Sequence, residues 1–244
     1  MVGAGYLGAS VARWAKAGGW SVVPVVRSHP SAEVLRQEFP DVRAGHAIEA
    51  SFWKNLSGPW QGLVWSVSPS RGQEVSFNDL HRTGAVLAAA WCHQHRVRMV
   101  YISSTSVYAE SSGGWVDETA AVAAEEERSM VMVEAEKVVL GSGGSALRCA
   151  GIYGPGRELR SGSEGPERWL NVVQVEDAAR AVGIVLGAGS GVYNVCEDKP
   201  LPRGSPQGSW PEGRRERRNK RVRNAKLRAL GWHPQWKAGS PNIV

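Results

Sequence analysis

Gly3-Ala4-Gly5-Tyr6-Leu7-Gly8 stands at the head of the chain, and its G-x-G-x-x-G spacing suits one task, the binding of a pyrophosphate. Gly3 allows a tight turn, Gly5 lets phosphate oxygens approach bare backbone, and Gly8 lets the following helix pack closely on its sheet with its N-terminus facing the phosphates. Tyr6 and Leu7 sit where their backbone amides complete such a cradle. The helix is written in residues 9–17, with Leu7, Val11, Trp14 and Ala15 at helical spacing and Gly18-Gly19 as its stop. A bare structural turn is the alternative, and the flanking helix and strand argue against it. Arg27-Ser28 closes the next strand, 21–26, about twenty residues past the last glycine, where an NAD-selective protein carries an acidic residue for the ribose 2′-hydroxyl. A guanidinium there pairs with a 2′-phosphate, so NADP is expected ahead of NAD. Otherwise Arg27 is a surface charge at a strand end.

These residues need a scaffold. A phosphate-binding turn follows a strand that is central and buried on both faces, yet only Met1 and Val2 precede Gly3. Either the sheet tolerates a truncated first strand or the natural start lies further upstream, and the second is the expectation. Downstream, the pattern predicts a helix over 31–39 capped by Ser31, a short strand over 42–44, and a strand over 62–67 that ends in Ser66 and Val67 and is bounded by Ser68. A long helix over 75–94 and a strand over 97–103 follow. Strands alternating with helices in this way predict an α/β fold with a doubly wound parallel sheet, whose ligands gather at the carboxyl ends of the strands.

Composition narrows the classes. The 244 residues are 42% hydrophobic, enough for an ordinary globular core. No apolar run approaches the ~18 residues that span a bilayer, so no membrane partner and a cytoplasmic location are expected. Cys92, Cys149 and Cys196 are scattered among apolar residues, which predicts buried thiols, and the six histidines lack ligand spacing, so no metal is expected. The net charge of +6 is concentrated: residues 203–228 hold ten Lys/Arg against two acidic residues, leaving a slightly acidic body. Val222, Ala225, Ala229 and Leu230 share a helical stripe before Gly231, so a docked amphipathic helix is expected there, not a nucleic-acid surface. Residues 158–166 and 200–213 read as irregular loops. Asp177 reads as a helix cap. Among the eleven tryptophans, Trp115, Trp169, Trp210, Trp232 and Trp236 fall in loops or near the C-terminus, where they either line a pocket or anchor packing.

Several strings then occur in a telling order: the glycine turn, Ser66-Val67-Ser68-Pro69, Tyr101-Ile102-Ser103-Ser104-Thr105-Ser106-Val107-Tyr108, Trp115-Val116-Asp117-Glu118 and Arg148-Cys149-Ala150-Gly151-Ile152-Tyr153-Gly154-Pro155. Together they resemble the extended and atypical short-chain dehydrogenase/reductases, the NAD-dependent epimerase/dehydratase-like group. The resemblance implies a Rossmann core over 1–150 and a small C-terminal substrate cap over 151–244, with 171–195 returning to the core. It implies that Ala150, Gly151 and Ile152 border the nicotinamide, and that long helices pair in a homodimer.

The resemblance also implies catalysis by a serine, a tyrosine and a lysine, the last two spaced Tyr-x-x-x-Lys. The tyrosine exchanges the substrate's proton while hydride moves, the lysine lowers the tyrosine pKa, and the serine holds the carbonyl oxygen. Ser104 takes the serine position. Arg128 and Met132 take the tyrosine and lysine positions, and a guanidinium cannot shuttle protons at neutral pH. Arg128 is suited to an anionic substrate or a polarised carbonyl, or else pairs with Glu125-Glu126-Glu127 along its helix. Tyr108 and Tyr153, on loops leaving the carboxyl edge, are the replacement acids, unless their rings simply pack. Two functions follow: an NADP-dependent oxidoreductase or epimerase for a small carbonyl or sugar-nucleotide-like substrate, or a non-catalytic dinucleotide-binding sensor. Retention of Ser104 favours the first; loss of the Tyr/Lys pair favours the second.

Overall fold

The computed structural model describes residues 1–69, 75–123, 126–159, 168–203 and 219–238. The chain runs α1 (Tyr6–Ala17), β1 (Val25–Val26), α2 (His29–Arg36), β2 (Arg43–Ala44), α3 (Ala50–Lys54), β3 (Gly62–Trp65), α4 (Ala85–His95), β4 (Arg98–Ser104), β5 (Ser112–Val116) and α5 (Glu127–Gly141). It continues through β6 (Ser145–Cys149), β7 (Gly151–Tyr153), β8 (Arg168–Leu170), β9 (Val172–Gln174), α6 (Val175–Gly187), β10 (Gly191–Val195), β11 (Leu201–Arg203), β12 (Asn219–Val222) and α7 (Ala225–Arg228).

Val2 bridges in parallel to both Val25 and Trp65, which joins two sheet fragments into one parallel order, β2-β1-Val2-β3-β4-β6-β10. This is the doubly wound arrangement, with the strand order reversing about Val2. The first strand is a single bridged residue, held by Val2 N donating to Val64 O at 2.9 Å and Gly3 N donating to Val25 O at 3.0 Å.

Side-chain alternation along the strands divides the core in two. Trp65, Met99, Tyr101 and Ala146 face α4 and α5, while Val64, Val100 and Leu147 face α1 and α6. Every residue of β6 is buried, as expected of a strand covered on both faces. Beside this sheet lie three two-stranded pairings, β7 with β9, β12 with β5, and β8 with β11. No helix among the described residues is long and apolar enough to cross a membrane.

Local details differ from the sequence reading. The second strand shortens to β1, because Val22 and Val23 precede Pro24, which lacks the N–H a ladder needs. Ser28, not Ser31, caps α2, and Pro30 in the first turn needs no hydrogen bond there. Gln174 caps α6, its side chain accepting from the Glu176 and Asp177 amides, while Asp177 accepts from Gln235 N and Trp236 N and so ties down the C-terminal segment. The long helix before β4 opens with a π-helical stretch, Asp79–Gly84. Val222 belongs to β12 and not to a helical stripe; Asn219 to Val222 pair with β5 in place of an extended amphipathic helix. The rest of the basic run, 204–218, and the loop over 160–167 lie outside the described residues, as does Trp210.

Candidate functional site

The glycine turn leaves Val2 at the carboxyl edge of the sheet. Gly3 holds φ +87°, and a Cβ there would run into the Ser66 carbonyl, so the turn passes where only glycine fits. Gly8 is in contact with the Gly3 carbonyl, which seats α1 against the turn. Gly5, the N-cap of α1, is different: a Cβ there would meet nothing within 4 Å, no side chain caps the helix, and its first turn holds no acidic residue. Open backbone at a helix N-terminus is the chemistry that receives a phosphate.

From Gly5 a cleft of about 240 Å³ extends over the ends of β1, β2 and β3. Gly3, Gly5, Arg27, Ser28, Ser66, Val67 and Ser68 all line it. Ser28 Oγ lies 2.9 Å from Ser31 Oγ and accepts from Ser31 N at 3.4 Å, so both hydroxyls are presented together at the start of α2. Among the described residues Arg27 forms no ion pair, and no carboxylate lines the cleft. A free guanidinium, two hydroxyls and a helix N-terminus make the cleft complementary to an anion.

The other expected cofactor residues fall outside the cleft. Leu7 is buried between α1 and α6, and Gly8 serves helix packing. Ala150 is buried beside Tyr108 and Cys196, Gly151 N donates to Asn171 O at 3.0 Å, and Ile152 packs on the α6 side. Tyr6 turns its ring toward the loop after β7.

Ser104 ends β4. Its Oγ accepts from Ser106 N at 3.1 Å, opening the turn Thr105–Val107, and its proton goes to no described residue. That hydroxyl remains able to donate. Ser129 Oγ donates to Ser106 O at 3.3 Å, which fastens the first turn of α5, and with it Arg128, to the turn that Ser104 begins. Arg128 is exposed, its guanidinium carbon 4.4 Å from the centre of the Phe77 ring. Among the described residues it has no carboxylate partner; Glu125 lies outside them. Met132 packs with Val107 and Val133 against Phe77 and Val122.

The two tyrosines are placed otherwise than as replacement acids. Tyr108 is fully buried, donates to Asn194 Oδ1 at 2.7 Å, and lies under the Arg148 guanidinium at 4.8 Å; burial pushes its hydroxyl up to about 12. Tyr153 is buried and donates to Glu197 Oε1 at 2.6 Å, and burial followed by that carboxylate raises its pKa. Both hydroxyls are committed to buried acceptors, the arrangement of packed rings.

No family profile matches the chain. Protein YeeZ of Escherichia coli strain K12 is 34% identical over 113 residues, which are 42% of this chain and 41% of YeeZ, so the likeness spans less than half the length of either. The putative NAD-dependent epimerase/dehydratase from Methylobacillus flagellatus superposes with a TM-score of 0.70 at 21% identity, covering 96% of this chain and 92% of that one. The UDP-glucose 4-epimerase of Thermus thermophilus, solved in complex with NAD, superposes with a TM-score of 0.76 at 16% identity, covering 97% and 94%. The chain shares with these structures its fold, a doubly wound parallel sheet of the Rossmann type.

Within this fold the cleft also takes in residues that the sequence reading passed over. Gly45, His46, Ala47 and Ile48 form the loop after β2, and Leu80 of the π-helical stretch closes one side. The signal for the loop was available, since it leaves the carboxyl end of a strand two places from the turn, where such sheets bind ligands. Leu80, an apolar residue of the long helix, reaches the cleft from the π-helical stretch. Cys92, Cys149 and Cys196 are buried free thiols, and burial pushes Cys149 up to about 12.

Proposed function

We propose that the protein binds a nicotinamide dinucleotide, with NADP preferred to NAD, and acts as an oxidoreductase or epimerase on a small carbonyl or sugar-nucleotide-like substrate. The observation that carries this reading is the cleft: Gly5 leaves the room that a pyrophosphate needs, and Arg27 with Ser28 offers a cation and a hydroxyl where a ribose 2′-phosphate would lie. The fold supports it as well, since the Thermus thermophilus epimerase that shares it was solved with NAD.

When bound, the nicotinamide would accept or supply hydride. The chain's own contribution is binding and polarisation. Backbone amides from Gly5 to Leu7 receive the pyrophosphate, Ser104 Oγ–H donates to the substrate oxygen, and Arg128 supplies positive charge from α5. Arg128 stands at the position of the usual acid and holds an anionic substrate group; it transfers no proton. The small sheets formed by β8 and β12, the latter paired with β5 of the 1–150 segment, serve as the substrate cap.

A second reading, a dinucleotide-binding sensor without turnover, is favoured by a specific observation: the hydroxyls of Tyr108 and Tyr153 are both held in buried hydrogen bonds. Calorimetric titration of NADPH and NADH into the wild type and Arg27→Asp tests the cofactor assignment. NADPH is expected to bind at least ~10-fold more weakly to the variant while NADH is little affected, a tenfold change being about 1.4 kcal/mol. Absence of binding by a folded wild type overturns the reading. Binding without consumption of either dinucleotide across a panel of aldehydes, ketones and UDP-sugars selects the sensor.

A further inference from the structure

Tyr6 follows Gly5 directly, and beyond it the loop after β7 brings a second guanidinium to the glycine turn. Gly154 and Arg157 close a tight reversal, with Arg157 N donating to Gly154 O at 2.8 Å and Gly154 N donating to Arg157 O at 3.2 Å. Gly156 inside it holds φ +74°, a conformation that glycine alone adopts cheaply. The reversal rests on Tyr6: a Cβ on Gly154 would come within 2.9 Å of the Tyr6 hydroxyl, which is buried with no hydrogen-bond partner among the described residues. The Arg157 guanidinium carbon then lies 5.6 Å from the centre of the Tyr6 ring.

Arg157 is exposed and forms no ion pair among the described residues. The neighbouring carboxylate of Glu158 accepts from the Gly156 amide at 3.2 Å. The ring contact restrains a long side chain that would otherwise sample many rotamers, and it does so through the first residue of α1, next to Gly5. A guanidinium and a helix N-terminus, two sources of positive potential, are thereby joined through Tyr6, the residue that follows Gly5. An anion received at that N-terminus would gain from the guanidinium as well.

We infer that Arg157 clamps the pyrophosphate of the bound dinucleotide from the loop side, opposite the α1 amides, with Tyr6 as the platform for its guanidinium. The inference rests on the dinucleotide reading above and adds to it a division of labour. Arg27 reads the ribose phosphate that distinguishes NADP from NAD. Arg157 answers the pyrophosphate that both share.

The test is calorimetric titration of NADPH, NADH and ADP-ribose into the full chain as wild type, Arg157→Ala, Arg27→Ala, Tyr6→Phe and Tyr6→Leu, with circular dichroism to check folding. Arg157→Ala is expected to weaken all three ligands at least ~10-fold and by similar factors, whereas Arg27→Ala weakens NADPH alone. Tyr6→Phe keeps the platform and the affinity; Tyr6→Leu loses part of it for every ligand. The affinity of Arg157→Ala also falls less steeply with salt than that of the wild type, because one phosphate contact is gone. If the wild type binds the dinucleotides and Arg157→Ala binds them equally well, the clamp is overturned and the cofactor reading stands. If the folded wild type binds none of the three, the cofactor reading fails and the clamp falls with it.

Discussion

The Glu136 carboxylate accepts from Arg148 Nε at 3.0 Å and from Nη2 at 2.7 Å, inside the protein, with both side chains almost wholly buried. Glu136 Oε1 also accepts the Ser103 hydroxyl, and the Arg148 guanidinium covers the Tyr108 ring. The pair thus joins α5, β4, β6 and the loop after β4, immediately behind Ser104. Removing one partner leaves a charge buried without its counter-ion, and such losses cost about 3–5 kcal/mol. Glu136→Ala is therefore expected to lower the unfolding free energy by that amount in urea titrations. Glu136→Met combined with Arg148→Met should cost less than the sum of the two single changes; strict additivity would mean that the two groups do not act as a pair.

The two nearby glycines separate architecture from binding. Gly3→Ala places a side chain at φ +87° against the Ser66 carbonyl, so it should destabilise the fold by at least ~2 kcal/mol. Gly5→Ala meets nothing in the free protein and should leave the melting temperature within a few degrees. It fills the space over the backbone, however, and should weaken dinucleotide binding ~10-fold or more. A Gly5→Ala protein that binds as well as the wild type would show that the turn's openness has no ligand.

Tyr108 offers a check on roles. Tyr108→Phe leaves Asn194 Oδ1 without its donor, a change expected to cost about 1–3 kcal/mol of stability. Dinucleotide affinity should stay within twofold of the wild type, because the hydroxyl is buried away from the cleft. In any assay that detects turnover, kcat should likewise survive. Loss of kcat with unchanged stability would return the hydroxyl to catalysis.

Much of this was readable from residues alone, and the exceptions share a cause. The glycine turn, the apolar strands and the helices between them are local patterns of high contrast, and they yield the doubly wound parallel sheet. The directions of Tyr108 and Tyr153 are set by Asn194 and Glu197, which lie far along the chain, so no window around either tyrosine reveals them. The pairing of β12 with β5 joins segments more than a hundred residues apart, and Val222 fits a helical stripe and a strand equally well. Ser28 and Ser31 are both good cap residues; Pro30 between them decides for the earlier one. The loop 45–48 was missed because it bears no charged or glycine-rich signature, although its place at a strand end was visible.

His81 gives the last prediction. It is 3% exposed on the π-helical stretch, with Nδ1 2.6 Å from the Tyr101 hydroxyl and its ring centre 4.2 Å from that of Phe77, which in turn carries Arg128. Burial, and then the Arg128 charge, pull its pKa from 6.5 down to about 4. Above pH 6.5 the imidazole is neutral in both the folded and unfolded chains, and stability does not respond to it. Between pH 6.5 and about 4 the unfolded chain takes up a proton that the folded chain refuses, so stability falls as pH falls; below that range the effect is complete. At about 1.36 kcal/mol per pKa unit the total is on the order of 3 kcal/mol. Urea unfolding at intervals from pH 7 to pH 4 measures it, with His81→Gln as the control. The wild-type curve should fall more steeply than that of the variant over this window; parallel curves would show that His81 is free to take up its proton in the folded protein.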